Sequence, residues 1–151
     1  MPANKPIHAA FAVVAAALLT GCGAASAHSD PPPAVVKNVP GTAAKQLLLT
    51  EQAVHRLGIA TEPVRVAKVA LAGRSGPHKV IPYAAVVYDN DGSTWTYVNT
   101  APRTFLRQRI DVGAIDGSTA VLVSGPALGA AVVTVGAPEL LGTEYDISGE
   151  A

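Results

Sequence analysis

Asp89-Asn90-Asp91-Gly92, within the stretch VVYDNDGSTWTYV at residues 86–98, gathers enough oxygen-bearing side chains to raise the question of a cation site. A calcium loop of the EF-hand type needs Asp-x-Asp/Asn-x-Asp/Asn-Gly and a bidentate Glu downstream. Here the Gly comes one place too early, and no Glu follows until position 139. Asn, Asp and Gly tolerate the positive φ angles that tight hairpin loops require. The sequence therefore predicts a bend between two strands. The histidines show no ligand spacing: His8 falls in the stretch read below as a signal and His28 in the tether, while His55 and His78 are isolated and read as surface or partly packed side chains. No Gly-x-Ser-x-Gly elbow and no phosphate-binding Gly-Lys-Ser/Thr loop occurs. Asp111 and Asp116 lie near a turn, and nothing sets them up as an acid/base pair. The expectation is a protein without enzymatic activity, cofactor or metal. Arg103, Arg107 and Arg109 form a basic cluster that would share one face of an unbroken strand. That face suits an acidic partner or a lipid headgroup; a solvated strand face is the alternative.

Cys22 is the other reactive group, and the chain's sole cysteine, so an internal disulfide is excluded. Ahead of it, Lys5 supplies a basic start, and residues 7–19 are almost all apolar, interrupted only by His8. Such a segment rises about 20 Å as a helix, short of the ~30 Å needed to span a membrane. It reads as an export signal. Leu19-Thr20-Gly21-Cys22 resembles the lipobox of bacterial lipoproteins, in which a diacylglycerol joins the Cys sulfur and the signal is cut just before it. Ala25-Ser26-Ala27 offers an ordinary secretory cleavage site as the alternative. Lipidation accounts for the lone thiol of an exported chain. Several acyl chains would hold it stably on the extracytoplasmic side of a membrane in the cell envelope.

These groups need elements to position them. The 151 residues suit one ordinary domain, and with 49% apolar but 5% aromatic residues its core must come from Val, Ala, Leu and Ile. Zero formal net charge argues against a nucleic-acid partner. Residues 1–21 read as signal peptide and 22–45 as a flexible tether, rich in Ala, Ser, Pro and Gly around Pro31-Pro32-Pro33. A short strand around Val35-Val36 is the alternative there. Residues 46–146 read as a β domain and 147–151 as a tail. Thr50 is placed to cap one short helix of about two turns. Glu51 sits in its first turn, Val54 and Leu57 share a face, and Gly58 supplies the stop. From Thr61 onward the period is two: PVRVAKVAL, VIPYAAVVYD, TWTYVNT, RQRIDVG, AVLVSG and AAVVTVGA are strand candidates separated by turn residues. Their spacing predicts a mainly β fold, a small barrel or sandwich with one short helix. Pro82 belongs near a strand start or on an edge.

LLLTEQAVHRLGIATEPV, at residues 47–64, resembles the opening of the periplasmic adaptor subunits, or membrane fusion proteins, of tripartite efflux transporters. VIPYAAVVYDNDGSTWTYVNTAPRTFLRQRIDVG is similar to that family's C-terminal segment, and AVLVSGPALGAAVVTVGAPELL to its final stretch. Family members carry a lipoyl-like domain and usually a long α-helical hairpin between these segments. Here Val69 runs within about ten residues into Val80-Ile81-Pro82, which leaves room for neither. The family's Gly-Leu is Gly125-Pro126-Ala127-Leu128, and Ala130 stands where an acidic residue is usual. The resemblance implies a shortened adaptor, its membrane-proximal region held on a lipid anchor. Its partner would be an inner-membrane efflux transporter, and it would lack the outer-membrane-channel contact that the hairpin makes. The alternative is a stand-alone envelope lipoprotein whose β domain binds another envelope component or a small ligand. Oligomeric state and transported substrate have no signature in the sequence.

Overall fold

The computed structural model describes residues 32–42 and 44–148. The expected signal, Cys22 and the first part of the expected tether lie outside the described residues. Strand alternation produces β1 (Ala34–Asn38) and β2 (Lys45–Leu49), then α1 (Glu51–Leu57), β3 (Ala60–Pro63), β4 (Arg65–Leu71) and β5 (Arg74–Pro82). A 3-10 turn over Tyr83–Ala85 leads to β6 (Val87–Tyr88), β7 (Thr94–Ala101) and β8 (Thr104–Arg109). The chain closes with β9 (Asp111–Asp116), β10 (Thr119–Ser124), β11 (Ala131–Val135) and α2 (Ala137–Ser148).

Two sheets result. One has the order β1-β2-β8-β7-β11-β3, with β6 added beside β7; the other runs β4-β5-β10-β9. Single buried residues turn the chain from one to the other: Val64, 1% exposed, between β3 and β4, and Ile110, 2% exposed, between β8 and β9. Both corners are pinned by backbone bonds, Val64 N to Ala130 O at 2.9 Å and Ile110 N to Thr94 O at 3.0 Å. The sheets face one another across Ile81, Val98, Ala120, Leu122 and Val132. The opposite face of the larger sheet, with Leu47, Leu49, Tyr97, Phe105 and Val133, is covered by Ala53 of α1 and by Ala137 and Leu140 of α2. Each fully buried Leu here is worth roughly 1.5–3 kcal/mol of transfer free energy.

The mainly β reading holds, in its sandwich form. Among the described residues the larger sheet ends in free edges at β1 and β3, so no barrel closes. The smaller sheet curls until its two edge strands meet without pairing. A Cβ on Gly113 of β9 would lie 2.6 Å from Leu71 Cδ1 of β4.

Four local expectations change. Residues 34–38, assigned to the tether, are a strand, as the alternative around Val35-Val36 proposed. Ala34 through Asn38 pair with Leu49 through Lys45, and a Pro40-Gly41 turn joins the strands, with Gly41 at φ 77°. There are two helices rather than one, because α2 follows β11. RQRIDVG is not one strand, since Ile110 divides it between the sheets. Pro82 ends β5, a strand flanked on both sides, at its last pair with Thr119, where the missing N–H interrupts no further ladder.

The helix α1 forms for the reasons its sequence suggested. Thr50 Oγ1 accepts from Ala53 N at 3.1 Å, and Gly58 closes the helix in the left-handed region at φ 61°. The bend at Asp89–Gly92 is equally local. Gly92 N donates to Asp89 O at 2.9 Å, Asp89 N to Ser93 O at 2.9 Å, and Gly92 takes φ 79°.

Candidate functional site

Alternation along β8 decides what its basic residues do. Phe105 and Arg107 point to the same face, and that face is the one α2 covers. On α2 the buried positions are Ala137, Leu140 and Glu144, a stripe spaced three and four apart. A guanidinium and a carboxylate thus meet inside the layer between helix and sheet. Arg107 is 6% exposed and Glu144 fully buried.

Ion pairs and hydrogen bonds link most of these groups in a chain, while Arg107 Nε is buried without a hydrogen-bond partner among the described residues. Arg107 Nη2 lies 3.1 Å from Glu144 Oε1, and its Nη1 lies 3.0 Å from Asp89 Oδ2. Tyr97 donates its hydroxyl to Glu144 Oε2 at 2.7 Å. Tyr145 donates to Asp89 Oδ1, which also accepts from Asn90 N at 2.7 Å. The guanidinium carbon sits 4.5 Å from the centre of the Trp95 ring, a cation–π contact worth about 0.5–2 kcal/mol. So the hairpin bend is a bend with a second use. Its Asp89 receives Arg107 from β8 and Tyr145 from α2.

Beside this chain opens a polar cleft of about 570 Å³, lined among others by Asn38, Lys45, Asp89, Asn90, Arg107 and Tyr145. Its charged groups balance, Lys45 and Arg107 against Asp89, with Glu144 directly beneath. Among the described residues no three His, Cys, Asp or Glu side chains come together as a metal site. What the arrangement does is hold the C-terminal helix, the bend and the centre of the larger sheet as one body.

The three arginines singled out from the sequence are not brought together. Arg103 lies outside β8, in the two-residue turn after Ala101, at φ 60°, with its carbonyl accepting from Leu49 N at 3.0 Å. Arg109 is exposed at the far end of the strand, 5.6 Å from the Trp95 ring centre, roughly 20 Å along the strand from Arg103. Arg107 between them faces inward. The shared basic face is therefore corrected to two separate exposed arginines and one buried ion-pair hub.

No family model matches this chain, and no curated protein matches it. Among solved structures it is similar to ZneB from Cupriavidus metallidurans, at 21% identity with a TM-score of 0.36. The match covers 60% of this chain and 39% of ZneB. The chain thus spans less than half of that structure's length.

The site sets opposite shifts on its two acids. The Tyr145 hydroxyl holds the Asp89 carboxyl below its ordinary value of 3.8, aided by Asn90 N and Arg107 against the cost of burial. Burial pushes Glu144 above its ordinary 4.5, opposed by the Tyr97 hydroxyl and Arg107. A depressed folded value means the unfolded chain binds the proton more readily, so the Asp89 contribution is lost as pH falls below about 4. A raised value means the reverse, so the Glu144 contribution is lost as pH rises above about 4.5. The cluster's contribution is greatest between them. In urea titrations between pH 5 and pH 2 the wild type should lose stability more steeply than Asp89→Asn. Equal acid slopes in the two proteins would remove Asp89 from this account.

Proposed function

We propose that this chain is an envelope lipoprotein that serves as a reduced adaptor, or accessory subunit, of an efflux transporter. One observation carries the reading. Strands from the opening segment that resembles an adaptor pair, in one sheet, with strands from the later segments beyond β4 and β5: β2 pairs with β8, and β3 with β11. They form one base from which the chain between them departs and to which it returns. That is what a membrane-proximal region requires when the more distant domains are shortened to a hairpin.

Affinity purification of the lipidated chain from solubilised membranes tests the reading. The wild type should bring down an inner-membrane transporter, and Cys22→Ser should abolish membrane attachment. Arg103→Glu with Arg109→Glu should weaken co-purification without unfolding the domain, since both side chains are exposed. Arg107 is left intact because its charge is structural. Recovery of no transporter by the wild type would overturn the adaptor reading and favour the stand-alone lipoprotein. A mature N-terminus at His28 would overturn the anchor.

A further inference from the structure

Two of the described aromatic side chains are left on the surface, and they touch. Trp95, Tyr97 and Phe105 pack with the core and Tyr145 binds Asp89, whereas Tyr83 is 39% and Tyr88 49% exposed. Their hydroxyls lie 3.3 Å apart. Tyr83 is also held at its backbone: its N–H donates to Ser118 O at 2.7 Å, and its carbonyl accepts from Val86 N at 3.0 Å. A half-exposed ring fixed at three points is already in place for a ligand, so binding there costs little ordering.

Tyr83 lines a cleft of about 490 Å³ where the chain crosses between the two sheets. The end of β5 and the 3-10 turn bring Pro82 and Tyr83, and the turn between β9 and β10 brings Ser118 and Thr119. The β3–β4 corner brings Glu62 and Arg65. The volume lies within the ~300–1,000 Å³ of small-molecule sites. The Ser118 and Thr119 hydroxyls have no hydrogen-bond partner among the described residues, and each can donate and accept. Glu62 and Arg65 supply the only charges of the lining, and they cancel. At 3.6 Å the two groups stand outside hydrogen-bond range, so both keep bonding positions open.

We infer that this cleft binds an uncharged pyranose oligosaccharide, with one sugar ring laid against Tyr83. A pyranose presents C–H groups on its face and hydroxyls around its rim. The C–H face buries apolar area on the phenol ring, whose own hydroxyl stays bound to Tyr88. The rim hydroxyls then meet Ser118 and Thr119, the acceptor Glu62 and the donor Arg65, a set that both gives and takes hydrogen bonds. Other ligand classes suit the lining less. A phosphate would need a cation that Glu62 does not already balance. A hydrocarbon would strip water from two hydroxyls and an ion pair and return nothing to them. The site belongs to the folded domain and depends on neither the lipid anchor nor a transporter.

The test titrates the full chain, its tyrosine rings labelled with carbon-13, with triacetylchitotriose and with maltotriose. The chain has four tyrosines, so each ring can be followed by NMR. The Tyr83 and Tyr88 signals should shift saturably with at least one sugar, while those of Tyr97 and Tyr145, outside the cleft, stay in place. A response to chitotriose assigns an N-acetylated glycan, and a response to maltotriose a plain hexose chain. Tyr83→Ala should weaken binding about tenfold or more, the scale of an anchoring aromatic. Tyr83→Phe keeps the ring, gives up only the link to Tyr88, and should lose less. Thr119→Ala tests the opposite wall, with a loss of about fivefold for one neutral hydrogen bond. Unmoved Tyr97 and Tyr145 signals show that each variant keeps its fold; if Tyr83→Ala does not, Thr119→Ala decides. No saturable shift with either sugar, unchanged affinity in Thr119→Ala, or equal losses in Tyr83→Phe and Tyr83→Ala would overturn the proposal. So would shifts produced by inorganic phosphate and by neither sugar, or shifts confined to Tyr145, which would move the ligand to the cleft beside Asp89.

Discussion

Arg107→Ala should cost about 3 kcal/mol or more of folding stability, the largest loss expected from a single side chain in this protein. Truncation leaves Glu144 fully buried without its nearest opposite charge, and removes the cation over Trp95. Lys45 also acts on Glu144, which places the effect toward the lower end of the ~3–5 kcal/mol range for broken buried pairs. Against a total of about 5–15 kcal/mol, such a loss leaves a domain close to its unfolding midpoint. Replacing both partners, Arg107→Met with Glu144→Leu, should recover most of it, because an apolar pair strands no charge. Urea midpoints of the two singles and the double close a cycle that isolates the coupling. If Arg107→Ala shifted the midpoint by less than the equivalent of about 1 kcal/mol, the hub would be a surface ion pair in energetic terms.

Gly136→Ala is expected to cost about 2–4 kcal/mol, from two causes that add. Gly136, at the junction of β11 and α2, has φ 88°, where an L side chain is strained. It is also buried, and a Cβ there would stand 2.3 Å from Ile59 Cδ1 and 3.7 Å from Leu57 O. Rotation of Ile59 relieves only part of the overlap, because that side chain packs in the core beneath the helices. Gly129→Ala separates the two causes. Its φ is 81°, yet nothing lies within 4 Å of the added carbon, so only the backbone cost of about 1–2 kcal/mol applies. Equal denaturation midpoints for the two variants would show that the Ile59 contact carries no weight.

What could be read from the sequence was what short-range chemistry determines. Thr50 and Gly58 cap α1 through bonds to residues three or four positions away, and the Asp89–Gly92 bend closes on itself. Long-range partners were hidden. Asp89 reaches Arg107 and Tyr145, 18 and 56 positions along the chain, and no turn rule contains that information. The strand β1 looked like part of a proline-rich tether because its partner, Leu47–Leu49, supplies its reason to be extended. The helix α2 was obscured by Gly136, Pro138 and Gly142, residues that usually interrupt. Pro138 sits in the first helical turn, where a missing N–H harms nothing. Arg107 was legible in principle: it shares parity with Phe105, and an arginine aligned with a core aromatic is turned inward unless the strand breaks.

The tip of the β4–β5 arm has one more implication. Leu71 and Arg74 are cross-strand partners, joined only by Ala72 and Gly73, both at positive φ. Any polypeptide whose own ends lie side by side could be spliced between them without disturbing the register of either strand. The closure entropy of such a graft grows by only about 0.6 kcal/mol per doubling of its length. The hairpin is thus a socket, at which this small β unit accepts a new lobe while its base, held together by β2–β8 and β3–β11 pairing, stays as it is.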